Sequence, residues 1–183
     1  MLTGTAMLAL CLHFVGAVDF YEKVLDLGGP NWQVRSSNGS VVAPATVPGV
    51  VHTDLLAAGI IGEPYAGFNE LSLRWVALDN WTFSRLFTVN DSFANGRTSN
   101  TLIFDGLDTH ANISLNGVHL GVSSNSFLRW QMTLPNNLLR VGKDANHLAV
   151  SFTNAQSIGQ TAAAAYPVCT SRVILDDMFT STH

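Results

Sequence analysis

Charge is scarce in this sequence, and the little there is forms no pattern. Only 12% of the 183 residues are charged, nine Lys and Arg against 13 Asp and Glu, for a formal net charge of −4. A nucleic-acid surface needs a concentrated basic footprint, and this balance excludes one. The cations are scattered, so no polybasic stripe exists to hold a membrane surface. Long hydrophobic runs are missing too: no stretch of about 20 apolar residues occurs, so no segment reads as a membrane-spanning helix. Cysteine is almost absent, with two residues, Cys11 and Cys169. A domain of this length buries roughly 70% of the surface its unfolded chain exposes, so it needs no disulfide staples.

Catalytic signatures are lacking in the same way. There is no Gly-x-Ser-x-Gly elbow, no His-Glu-x-x-His helix and no glycine-rich phosphate loop. The histidines are isolated. His52 and Asp54 lie two apart on a predicted helix and point to different faces, so they make no ligand pair, and His52 reads as a packing-edge residue. Glycoside hydrolysis needs two acids roughly 5–5.5 or 6.5–9.5 Å apart in a cleft. Asp105 and Asp108 flank the turn Gly106-Leu107, but Asp in a turn commonly bonds its own backbone. Asp176-Asp177 reads as a surface pair. No catalytic residue, metal ligand set or cofactor site is expected from these residues.

What is present is apolar: 47% of the chain, a globular composition that argues against disorder. Met7 to Val15 is nearly all apolar and is followed by Gly16 and Ala17, the pattern of a signal peptide cut after Ala17. The competing reading is a buried strand or helix at the start of the fold. Removal of residues 1–17 takes Cys11 away and leaves Cys169 alone. Asn-x-Ser/Thr sequons occur at Asn38, Asn80, Asn90 and Asn112. The first three are expected to carry glycans in a secreted chain, whereas Asn112 falls in a predicted strand and is expected to be the least accessible.

The rest is punctuated like an antiparallel β protein. Gly28-Gly29-Pro30 and Ser36-Ser37-Asn38-Gly39 bracket the strand-like Trp32-Gln33-Val34, and Pro44 and Pro48-Gly49 mark a second turn. Val51, Leu55 and Ala58 share one face of a short helix that Gly59 ends, the one helix expected in the first 155 residues. Trp81, Phe83, Phe87 and Val89 alternate with polar residues, with an irregularity at Arg85-Leu86 that suggests a bulge. Asn116-Gly117 separates two alternating runs, and an Asn-Gly pair there signals a hairpin because both turn residues need positive φ. Leu148, Val150 and Phe152 form a further half-buried strand. Trp81, Phe83, Ile113, Leu115, Val118, Leu120, Val150 and Phe152 are the expected inward set. Such short strands indicate a sandwich or barrel.

Val47-Pro48-Gly49-Val50-Val51-His52-Thr53-Asp54-Leu55-Leu56 resembles a segment of the β-mannosidases of glycoside hydrolase family 2. Gly59-Ile60-Ile61, Pro64-Tyr65, Phe68-Asn69-Glu70, Arg74-Trp75-Val76, Asp79-Asn80-Trp81-Thr82-Phe83, Leu107-Asp108-Thr109 and Leu115-Asn116-Gly117 follow at similar spacing, and the likeness runs from about Phe20 to Ala155. The resemblance implies an all-β jelly-roll sandwich, galactose-binding-domain-like, at the N-terminus of an enzyme that hydrolyses terminal β-D-mannose residues of oligosaccharides with retention. It implies a lysosomal or extracellular glycoprotein whose partner is a mannose-containing carbohydrate. It also places the family's catalytic glutamates on a (β/α)₈ barrel that this sequence does not contain.

The expected organisation is therefore a signal peptide at 1–17, the sandwich at 18–160 and a poorly ordered tail at 161–183. The sequence after Pro167 departs from the family, and its Trp-Asp-Trp-Gly loop is missing, so the chain reads as truncated before the barrel. Candidate sugar-contacting residues are Asn69, Glu70, Arg74 and Trp75, polar and aromatic residues in a loop before a strand. For Asn69, Glu70 and Arg74 the competing role is to hold this loop against the barrel; for Trp75 and Trp81 it is the sandwich core. A stand-alone secreted carbohydrate-binding or adhesion module is the rival function.

Overall fold

The computed structural model describes residues 23–94, 99–143 and 145–165. The segment 1–17, both cysteines and Asp176-Asp177 lie outside them. Strand β1 (Gly29–Ser36) turns inward Trp32, Val34 and Ser36 and is followed by a turn in which Asn38 Oδ1 accepts the Ser40 N–H at 2.9 Å. Strand β2 (Val42–Val47) pairs with β1, with Pro44 opposite Gln33. Pro44 is thus a strand residue and not the turn marker expected. As β2 is an edge strand, the N–H that proline lacks is not needed by a neighbour.

A cis Val47–Pro48 bond leads into helix α1 (Val51–Ala57), whose Leu55 is fully buried. Gly59 closes it at φ 68°, a left-handed conformation in which glycine is unstrained. α1 is not the sole early helix. Single turns α2 (Asn69–Ser72) and α3 (Arg74–Leu78) follow, and α4 (Asp91–Ala94) comes after strand β3 (Trp81–Phe87). Helices this short leave too little period to be read from sequence.

Strands β4 (Thr101–Phe104), β5 (Ala111–Leu115), β6 (Val118–Ser123), β7 (Trp130–Thr133) and β8 (Asn146–Phe152) complete the β structure. Six strands form one antiparallel sheet in the order β2-β1-β3-β8-β5-β6, and β4 pairs with β7 in a second. Trp32, Val34, Phe83, Ile113, Leu115, Leu148 and Val150 of the large sheet share one core with Met132 of β7, against which Leu102 and Phe104 of β4 pack. This is a β-sandwich with its core between the layers.

Two registers correct the sequence pattern. β3 pairs with β8 without interruption from Trp81↔Phe152 to Phe87↔Asn146, so there is no bulge at Arg85-Leu86. Arg85 simply takes an inward position at the margin of the core, where its guanidinium donates to the carbonyls of Leu27 and Gly28, the latter at 2.6 Å. Leu86 faces out. The bulge lies in β6 instead: Ile113 opposes Gly121 and Ser114 opposes His119, so Leu120 is extra. Beyond it the faces swap, which buries Ser123 and turns Val122 outward. Val118 stays opposite the buried Leu115, yet it is 44% exposed and not in the core, because β6 is the other edge strand.

Helix α5 (Ala155–Ala165) follows β8 and buries no residue. Residues 161–165, expected in a poorly ordered tail, are therefore helical.

Candidate functional site

The four candidate sugar-contacting residues fall on the α2–α3 corner. The chain reaches it through a tight loop in which Asn69 Nδ2 donates to the Glu63 carbonyl at 2.8 Å and the Ala66 N–H bonds the same oxygen at 3.2 Å. Gly67 sits at φ 57°, a turn conformation that a side chain would strain. Asn69 also receives the Leu73 N–H on its own carbonyl at 2.8 Å. Its amide is thus committed to shaping the loop.

Glu70 and Arg74 are exposed, and Trp75 is 38% exposed. These residues belong to helical turns, not to the loop before a strand that the sequence suggested. Trp75 does not share the core role weighed for it: its ring lies 6.1 Å from that of Trp81 at 46°, with Trp81 beneath it in the core. Trp81 Nε1–H donates to the Val76 carbonyl at 2.8 Å, which fastens α3 to the sheet. Tyr65, Phe68 and Leu71 are exposed around the same corner. No hydrogen bond or ion pair joins Asn69, Glu70, Arg74 and Trp75, so they make a surface, with aromatic and charged components, and not a closed pocket.

A hollow lies elsewhere. A space of about 1800 Å³ between the two sheets is lined by core residues such as Trp32, Phe83, Leu115, Leu148 and Leu102, and by none of the four candidates. Its walls join the apolar core to a polar rim that includes Asp26, Asp105, Asp108 and Arg129. Asp105 is paired with Arg129 at 2.8 Å with both side chains in solvent. Asp108 accepts from Thr109 Oγ1 and is exposed. Among the described residues no group of three His, Cys, Asp or Glu side chains is arranged to hold a metal ion.

The carboxylate that sequence reasoning passed over is Asp54. It is 7% exposed on α1. Its Oδ1 accepts the Thr46 N–H at 3.2 Å and its Oδ2 is buried without a hydrogen-bond partner. Loss of hydration raises its pKa above the ordinary 3.8, and the Thr46 bond offsets this only in part. The folded state therefore binds the proton more tightly than the unfolded one. Between the two pKa values the folded state carries more protons, so stability falls as pH rises from 3.8 through the folded value, and the full penalty persists above it. An Asp54→Asn variant removes that titration. Its stability relative to the native chain is expected to improve as pH rises from about 3 to 7 in urea unfolding. A difference that stays constant with pH would show that Asp54 does not titrate in this way.

Comparison with known proteins adds an independent line. The family model described as glycosyl hydrolase 2 galactose-binding domain-like matches residues 32–180. That match extends past Pro167. A β-mannosidase of Mus musculus is 39% identical over 170 residues, covering 86% of this chain and 19% of the mouse protein. β-Mannosidase A of Aspergillus aculeatus is 34% identical over 157 residues, covering 86% of this chain and 16% of its own length. The crystal structure of the β-D-mannosidase of Dictyoglomus thermophilum superposes with a TM-score of 0.74 at 33% identity, over 80% of this chain and 17% of that one. The chain thus spans less than a fifth of the length of each of these relatives.

Proposed function

The chain belongs to the glycosyl hydrolase 2 galactose-binding domain-like family, and from that premise we propose that it serves as the N-terminal sandwich of an enzyme that releases terminal β-D-mannose residues from oligosaccharides and glycoproteins. The observation that carries this reading is the superposition on the Dictyoglomus thermophilum β-D-mannosidase, because it joins fold and sequence likeness over 80% of the chain. In that role the sandwich is a scaffold. The α2–α3 corner, with Tyr65, Phe68, Leu71 and Trp75 in solvent, is the face that meets the rest of the enzyme, and Asn69, Glu70, Arg74 and Trp75 shape the rim of the sugar pocket. Exposed aromatic side chains suit both a domain interface and an apolar sugar face.

The route proposed is the secretory pathway, ending in the lysosome or outside the cell, which the Met7 to Val15 run and the sequons support. Asn38, Asn80 and Asn90 are exposed, as a glycan acceptor in a folded protein must be. The test uses two proteins, the 183-residue chain and the product of the longest transcript that contains it. The longer product is expected to hydrolyse an aryl β-mannoside. The 183-residue chain is expected to show no turnover above buffer, since the resemblance places the family's catalytic glutamates on a barrel and not on this sandwich. Hydrolysis by the purified chain alone would overturn the scaffold role. A longest transcript without further domains, whose product binds mannose-containing glycans, would favour the stand-alone module.

A further inference from the structure

The fourth sequon, expected to be the least accessible, is open to solvent in the fold. Asn112 lies in β5, but its side chain points away from the core: Ala111, Ile113 and Leu115 face inward and are buried, while Asn112 is exposed. Its Oδ1 lies 2.7 Å from His119 Nδ1. An amide oxygen can only accept, so His119 is the donor there, and the Asn112 Nδ2 group is the part left for other chemistry. Ser114, the hydroxyl residue of the sequon, stands on the same outer face two residues on. Thr82 and Ser151 on neighbouring strands meet on this face with their hydroxyls 2.9 Å apart. It is a polar, solvated surface with room for a bulky substituent.

The same face has a weakness at its margin. β6 is an edge strand, and Val122, directly opposite Asn112, is 59% exposed, while Val118, on the other face of the same edge, is 44% exposed. An edge with apolar side chains in solvent invites pairing with another chain, and proteins commonly block such edges. We propose that Asn112 is an N-glycan acceptor whose glycan screens this edge, an inference that rests on the secretory route proposed above. In the transfer, Nδ2 bonds to the anomeric carbon of a lipid-linked oligosaccharide diphosphate. The carbon–oxygen bond to the diphosphate breaks, Nδ2 loses one proton to a base of the transferase, and the lipid diphosphate leaves.

The full chain is produced in animal cells, once with its own N-terminus and once behind an added cleavable leader. Secreted protein is then deglycosylated enzymatically in heavy-oxygen water, which converts each glycan-bearing Asn to labelled Asp. Label is expected at position 112 as well as at 38 and 80. A Ser114→Ala variant, which keeps the Asn112–His119 bond, is expected to lose that label and one glycan's mass and to self-associate more in sedimentation. Label at 38 or 80 with none at 112 overturns this proposal alone. Export with no label at any sequon overturns it together with the secretory glycoprotein reading. Unchanged association of the Ser114→Ala variant, with label at 112 in the parent, overturns the screening role.

Discussion

Trp81→Ala is expected to bring the domain close to unfolding at room temperature. The side chain is 5% exposed at the start of β3, and removing a buried indole costs about 3–5 kcal/mol through lost transfer energy and the cavity left behind. The substitution also strands the Val76 carbonyl, which now accepts the indole N–H at 2.8 Å, for roughly a further 1 kcal/mol. Set against a typical total of about 5–15 kcal/mol, that is a large share of the whole. The α2–α3 corner should loosen first, because that bond and the ring contact with Trp75 fasten α3 to the sheet. Trp81→Phe keeps most of the volume and loses the hydrogen bond, so its cost is expected near 1 kcal/mol. Urea unfolding of the two variants separates the terms. Equal losses for Ala and Phe would mean that the hydrogen bond dominates and the packing argument is wrong.

How far the sequence could be read follows from what each residue has to say locally. The hairpin at Asn116-Gly117 was legible because the turn itself demands its residues: the two sit at φ 53° and 82°. β3, β5 and β8 were legible because each is central in the sheet and buries alternate residues on one face. β2 was hidden by Pro44, which is permitted only because no strand lies beyond it. The bulge in β6 was hidden because a two-residue period cannot report an extra residue, so nothing in the run 118–122 marks where the strand's faces swap. At Arg85 the error ran the other way: a charged residue in an inward position looked like a break in the strand, when the Leu27 and Gly28 carbonyls were there to receive it.

The candidate corner was legible as a place but not as an arrangement. Asn69, Glu70, Arg74 and Trp75 do lie together in the chain, and the fold keeps them on one corner. That Asn69 spends its amide on the Glu63 carbonyl depends on the loop's conformation, which no local pattern encodes. Asp54 was passed over for a related reason. An acidic residue in an exposed-looking helix is usually solvated, and only the packing of α1 on β2 shows that this one is not.

The second large effect is expected at Asn146, a polar side chain with no exposed surface at the start of β8. Its Oδ1 accepts the Arg140 N–H at 2.8 Å and the Asn116 Nδ2–H at 2.9 Å, and its Nδ2 donates to the Arg140 carbonyl at 2.9 Å. Asn116 in turn donates to the Leu138 carbonyl at 2.8 Å and accepts the His147 N–H at 2.9 Å. Two amides thus tie the β5–β6 turn, the 138–140 segment and β8 into one unit. Asn146→Leu keeps the branching at Cγ but is larger, and it takes their Asn146 partner from the Arg140 N–H, the Arg140 carbonyl and one Asn116 N–H. At about 1–3 kcal/mol for each that stays buried, the loss should reach roughly 3 kcal/mol or more, where an exposed Asn→Leu change would alter little. Asn116→Gly keeps the positive φ available and removes only the side-chain bonds, so it probes the other half of the unit. The double variant is expected to be less destabilised than the sum of the two, by at least about 0.5 kcal/mol, because the bond between the amides can be lost only once. Additive losses in urea unfolding would mean that the two side chains act separately and that the hairpin is held by its turn alone.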